Sequence, residues 1–185
     1  MHVSIRDSRG FRTWAWQLAG AAIGVLSIGG PVAAAAAPSA QVPSCVVGSW
    51  RAVDLLSSMG PLLEEVGAVE DVTGEILLAV QPDGAYEVKF VEVAMALQTD
   101  AGLGSLVLDA VGTGTFRESG AGMLASSGDR FVGSLTVTMG DQTFTHDEDS
   151  SDEGAPSPYE CAGGGLEIGL ETGGDTRAPL RFVRQ

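Results

Sequence analysis

The sequence predicts an all-β domain, an antiparallel up-and-down β-barrel of about eight strands with a short helical segment after the first. Two observations point there. Past residue 74, short runs rich in β-branched and aromatic residues alternate apolar with polar positions, which is the period of a strand with one dry and one wet face. Between these runs stand turn signals, clearest at Pro82-Asp83-Gly84 and Gly140-Asp141, where proline presets one dihedral and glycine accepts a positive φ. Many short strands at close intervals build a sandwich or barrel. Closure also removes the unpaired edges that a run of hairpins leaves.

Residues 1–40 stand apart from this domain. Arg6, Arg9 and Arg12 open the chain, and an alanine-rich apolar run over 14–37 ends in small residues. That order reads as a cleaved signal peptide of the general secretory (Sec) type, which leaves 41–185 as a single domain. Gly29-Gly30-Pro31 interrupts the run, which weighs against an uncut membrane anchor. No later stretch approaches the roughly twenty apolar residues of a membrane-spanning helix.

The domain opens with Cys45 and a first strand over 46–53, in which Gly48, Trp50 and Ala52 share a face. Over 54–69, Leu55, Leu56, Met59, Leu62, Leu63 and Val66 recur at helical spacing; Asp54 offers a cap and Gly60-Pro61 breaks the helix. Strands follow over 75–81, 85–97, 105–118, 122–127 and 130–139. In the second, Tyr86, Val88 and Phe90 alternate with Glu87 and Lys89; in the last, Leu135, Val137 and Met139 alternate with Ser134, Thr136 and Thr138. A short strand over 142–145 leads into 146–158, whose acidic run His146-Asp147-Glu148-Asp149 is expected to form a solvated loop. Residues 159–171 read as one strand bent at Gly163-Gly164-Gly165, and 180–184 finish the chain.

The full chain has 10 basic and 24 acidic residues, a formal charge of −14. Residues 1–40 hold three arginines and one acid, so the remainder carries seven bases against 23 acids, or −16. Such a charge repels phosphates and argues against nucleic acid and anionic membranes as partners. Export changes the meaning of Cys45 and Cys161. An even count outside the cytosol favours a disulfide, and Cys45 as a lipid-modified residue after Val42-Pro43-Ser44 is the alternative.

Chemistry is sparse. Beyond residue 40 the one histidine is His146, inside the acidic run, which does not suit a preorganised triad. With the two cysteines paired, a zinc site lacks ligands, and no proximal histidine suits a haem. Adjacent acids such as Glu64-Glu65 and Glu70-Asp71 are what an acidic surface produces by chance. Asp147, Asp149, Asp152 and Glu153 leave calcium open, although an EF-hand-type loop from Asp147 would need glycine where Asp152 stands. The sequence therefore predicts no catalytic residue, no metal site, no cofactor and no enzyme.

Gly48-Ser49-Trp50 at the start of the first strand, followed by a meander of about eight strands, resembles the lipocalins and their calycin relatives. The chain also looks like small exported bacterial proteins of lipocalin-like type, through Cys45, Gly48 to Arg51, Pro82-Asp83-Gly84 and Tyr159-Glu160-Cys161. The second and third lipocalin motifs and the helix after the barrel are not found here. The resemblance implies that Trp50 packs at a closed barrel end under an arginine from near the C-terminus, either Arg181 or Arg184. It also implies a small apolar or amphipathic ligand lined by the inward residues Tyr86, Val88, Phe90, Leu135, Val137 and Met139. The alternative is a side-chain-filled barrel that meets a protein partner.

Overall fold

The computed structural model describes residues 41–63, 67–99, 102–152, 156–171 and 177–185. The signal-peptide reading of residues 1–40 lies outside them. After a lead-in segment come β1 (Gly48–Val53), helix α1 (Leu55–Met59), a 3-10 turn (Pro61–Leu63), β2 (Ala68–Val80) and β3 (Ala85–Thr99). The chain continues through β4 (Gly102–Gly120), β5 (Met123–Met139), β6 (Gln142–Asp152), β7 (Ser157–Ala162), β8 (Gly165–Glu171) and β9 (Arg177–Arg184). These strands form one sheet in the order β4-β3-β2-β1-β9-β8-β7-β5-β6, and β4 also pairs with β5. That extra pairing shuts the ring. Eight antiparallel strands make a closed barrel, and β6, which among the described residues pairs with β5 alone, stands outside it.

The ring closes because β5 shares its second edge. Met123 and Leu124 pair with Pro158 and Ser157 of β7, whereas residues from Asp129 to Met139 pair with β6. The far halves of β2 to β5, together with β6, therefore continue as a flared wing beyond the ring.

Inside the ring, alternation has the result it predicts. Trp50, Ile76, Leu78, Val80, Leu166 and Phe182 all face inward and are buried. Val42 and Val46, from the lead-in segment, join this core. Ser58, Met59 and Leu63 from α1 and the 3-10 turn are buried as well, and Ser58 Oγ donates to the carbonyl of Pro179 at 2.7 Å. Gly60-Pro61 separates helix from turn, as the sequence predicts. Residues 68–69 instead begin β2, because pairing with β3 from Ala68 to Val72 outweighs their helical spacing.

Three further expectations are corrected. Residues 122–127 and 130–139 belong to one strand, β5, which passes through a register shift near Gly128, at φ 65°. Residues 159–171 are two strands, since Gly163 and Gly164 at φ 59° and 83° make a two-residue turn where a mere bend was expected. The acidic run is a strand and not a loop: β6 carries it to Asp152. Its charges are no obstacle, because an edge strand outside the ring keeps His146, Asp147 and Asp149 in water.

Candidate functional site

The Gly48-Ser49-Trp50 triplet is built into one end of the ring. Trp50 lies opposite Arg184 in the β1–β9 ladder, and the guanidinium sits 4.6 Å from the ring centroid. The indole N–H donates to the carbonyl of Val46 at 2.8 Å, and Arg184 donates to the carbonyl of Val47 at 3.3 Å. Gly48 is required twice over. Its φ is 143°, and a Cβ there would lie 3.1 Å from the Arg184 guanidinium, so a side chain would displace the cation from the indole. Arg181, the other candidate, points outward and pairs with Glu167 at 3.0 Å. Cys45 and Cys161 form a disulfide with their Cα atoms 6.2 Å apart, which ties the lead-in segment to β7. With its sulfur in that bond, Cys45 has no thiol for a lipid.

The six inward residues expected to line a ligand divide into two groups. Tyr86, Val88 and Phe90 belong to the packed ring. The Tyr86 ring stacks on Phe116 with centroids 4.1 Å apart, and Phe90 meets the edge of Phe131 at 5.9 Å. The Tyr86 hydroxyl donates to Asp129 Oδ1 at 2.9 Å, and Ser126 donates to the other carboxylate oxygen. Asp129 turns inward at the β5 register shift. The sequence reading missed it because Gly128-Asp129 looked like a gap between strands.

Burial, then the neighbouring Asp129 charge, holds the Tyr86 phenol far above its ordinary range. Burial and Glu118, which accepts the Tyr159 hydroxyl at 3.1 Å, push Tyr159 in the same direction. Both shifts favour the protonated phenol in the folded state. Their stabilisation is complete below about pH 10 and falls as pH rises beyond it, towards the raised folded-state values. Tyr86→Phe is expected to cost about 1–3 kcal/mol at neutral pH, through the lost hydrogen bond to Asp129. It should also flatten the alkaline fall in unfolding midpoint, read by denaturant melts from pH 8 to 11. An unchanged alkaline slope would contradict this assignment.

Leu135, Val137 and Met139 lie in the wing, on the inner face of β5. Cross-strand register places Met95, Leu106, Val137 and Phe144 in one inward row. Burial fades along it: Met95 and Leu106 are 1% and 2% exposed, Val137 is half-buried and Phe144 is 53% exposed. The next row runs Val93, Leu108, Leu135 and His146 with the same gradient. Leu97, Gly104 and Met139 make a third, ending at 39% exposure. The result is an apolar lip where the core runs out into solvent.

Phe144 was not singled out from sequence. The signal was present, since a two-residue turn at Gly140-Asp141 sets Phe144 opposite Val137. At the rim of the lip, His146 Nε2 lies 3.0 Å from Glu148 Oε2. The lip is thus an exposed apolar surface with a polar pair at one end.

The outer face of the same strands is acidic. An open depression of about 540 Å³ lies there, lined by Asp109, Val111, Val132, Asp147 and Asp149 among others. Arg130 grips Asp149 with two bonds of 3.1 and 3.0 Å. Among the described residues, no group of three His, Cys, Asp or Glu side chains is placed to hold a metal ion, nor is any helix long and apolar enough to cross a membrane. Of the acids weighed for calcium, Asp147 and Asp149 share the outer face of β6, and Glu153 lies outside the described residues. No family model matches the chain, and neither does any curated protein or solved structure.

Proposed function

We propose that the protein is a non-enzymatic binding module of the cell envelope or exterior. In this reading it holds a small apolar or amphipathic ligand against the inner lip of β5 and β6. The carrying observation is the burial gradient, in which apolar residues continue along a row whose first members, Met95 and Leu106, are fully buried and whose last member, Phe144, is half in water. Apolar side chains left in water at the end of a packed row gain about 25 cal/mol for each Å² a ligand covers. From Gln142 to His146 the lip runs about 14 Å at the usual strand rise, enough for one chain or ring system. The His146–Glu148 pair suits the polar end of an amphipathic molecule.

The likeness to lipocalins supports the reading through Gly48, Trp50 and the guanidinium of Arg184. The seat differs from that family's expectation, since Trp50, Ile76, Leu78 and Val80 fill the ring and the lip lies beyond it. A disulfide is at home in an oxidising compartment outside the cytosol, which supports export.

The test is a titration of delipidated protein with an apolar fluorescent probe. Saturable one-to-one binding is expected, and Phe144→Asp should weaken it at least tenfold while leaving the fold intact. Absence of saturable binding would end the proposal.

A further inference from the structure

We infer that β6 is a docking edge for an extended, cationic peptide segment of a partner protein, which joins the sheet as a further strand. This goes beyond the apolar-ligand reading and rests on a different feature, the unpaired backbone rim of β6. That strand is eleven residues long, and its register with β5 runs from Met139–Gln142 to Asp129–Asp152 without a shift. Among the described residues, nothing pairs with its other side. Sheet edges are ordinarily protected by brevity, proline, charged side chains or a bulge. Of these, the β6 sequence Gln-Thr-Phe-Thr-His-Asp-Glu-Asp-Ser-Ser-Asp has only charge, and its carboxylates are of one sign, which turns away other acidic strands and admits a cationic one.

Ladder geometry says which groups are on offer. The pair flanking a two-residue hairpin turn is hydrogen-bonded, and bonded pairs then alternate. Gln142, Phe144, His146 and Glu148 therefore spend their backbone groups on β5. Those of Thr143, Thr145, Asp147, Asp149 and Ser151 point outward.

Charge selects the occupant. Asp147 and Asp149 flank the acidic depression on the outer face with Asp109, while Arg130 is engaged with Asp149. A second copy would bring the same acids and a net charge of the same sign, so like charges would face each other. An added strand with Lys or Arg at the positions beside Asp147 and Asp149 would be attracted there. Its alternate side chains fall on the inner face, where those beside Phe144 would be apolar. The fitting partner segment is thus an alternation of basic and apolar residues, recognised by strand addition.

The test uses a capped nine-residue peptide alternating Val and Lys, titrated into the full domain. Saturable binding is expected, weakening with salt, and at least tenfold weaker for Thr145→Pro, which removes an outward N–H and leaves the β5 ladder complete. Asp147→Lys should weaken it comparably, and a Val/Glu peptide should not bind. Should Thr145→Pro fail to fold, hydrogen exchange on the unaltered protein decides the matter: peptide must protect the amides of Thr143, Thr145 and Asp147. Equal binding by a Lys/Pro peptide of the same charge would overturn strand addition. So would an unchanged affinity for Thr145→Pro, absent amide protection, or sedimentation showing a dimer joined through β6. Binding of the apolar probe should be indifferent to Thr145→Pro, so the two readings fail separately.

Discussion

Replacing Cys45 and Cys161 together by alanine is expected to lower the unfolding free energy by about 5 kcal/mol on the chain-entropy account of a long closed loop. The bond joins residues 116 apart in sequence, so its loss frees most of the domain in the unfolded state. It also releases the lead-in segment in the folded state, where Val42 and Val46 are buried in the core and the Val46 carbonyl accepts the Trp50 indole. Both effects act in one direction. Denaturant melts of the oxidised protein and the double variant would measure the difference, and a change below about 1 kcal/mol would mean that packing alone fixes the segment. A stabilisation of this size is a large part of the roughly 5–15 kcal/mol that holds an ordinary domain together. Reducing conditions should therefore bring the protein close to unfolding.

Trp50→Ala is expected to cost about 3–5 kcal/mol, the range for removing a buried aromatic side chain. The indole is 2% exposed and fills the ring beside residues from the lead-in segment, so its loss leaves a cavity at the ring's closed end. Arg184→Gln should cost far less, about 0.5–1 kcal/mol, because a cation–π contact at an exposed guanidinium is weak. Gly48→Ala tests the same assembly from a third side, through its φ of 143° and the nearness of the Arg184 guanidinium. A double-mutant cycle between Trp50 and Arg184 isolates their coupling. If Arg184→Gln cost as much as Trp50→Ala, the arginine would be the main structural element, contrary to this ordering.

Much of the fold was legible in the sequence because a period of two survives any detail of strand length. The sequence predicted the all-β class, the helical segment with its break at Gly60-Pro61 and the Pro82-Asp83-Gly84 turn, and the structure contains each of them. Charge and glycine hide a strand from a period of two. The acidic run after Phe144 predicts a loop, yet an edge strand whose outer face meets water tolerates Asp147 and Asp149 at little cost. Gly128-Asp129 stands between two predicted strands, yet the register shift there turns Asp129 inward to meet Tyr86.

The lip was half legible. Leu135, Val137 and Met139 were picked out by alternation, whereas Phe144 needed the pairing of β5 with β6. Tyr86 and Phe90 alternate just as well, but which inward residues are packed and which remain open depends on the path of the other strands.

The most direct test of the proposed binding seat is methyl chemical-shift mapping during titration with the apolar probe. The account expects shifts at Leu135, Val137 and Met139, with Ile76, Leu78 and Val80 unmoved. Shifts centred on those three ring residues, or none at Val137 under saturating probe, would contradict it.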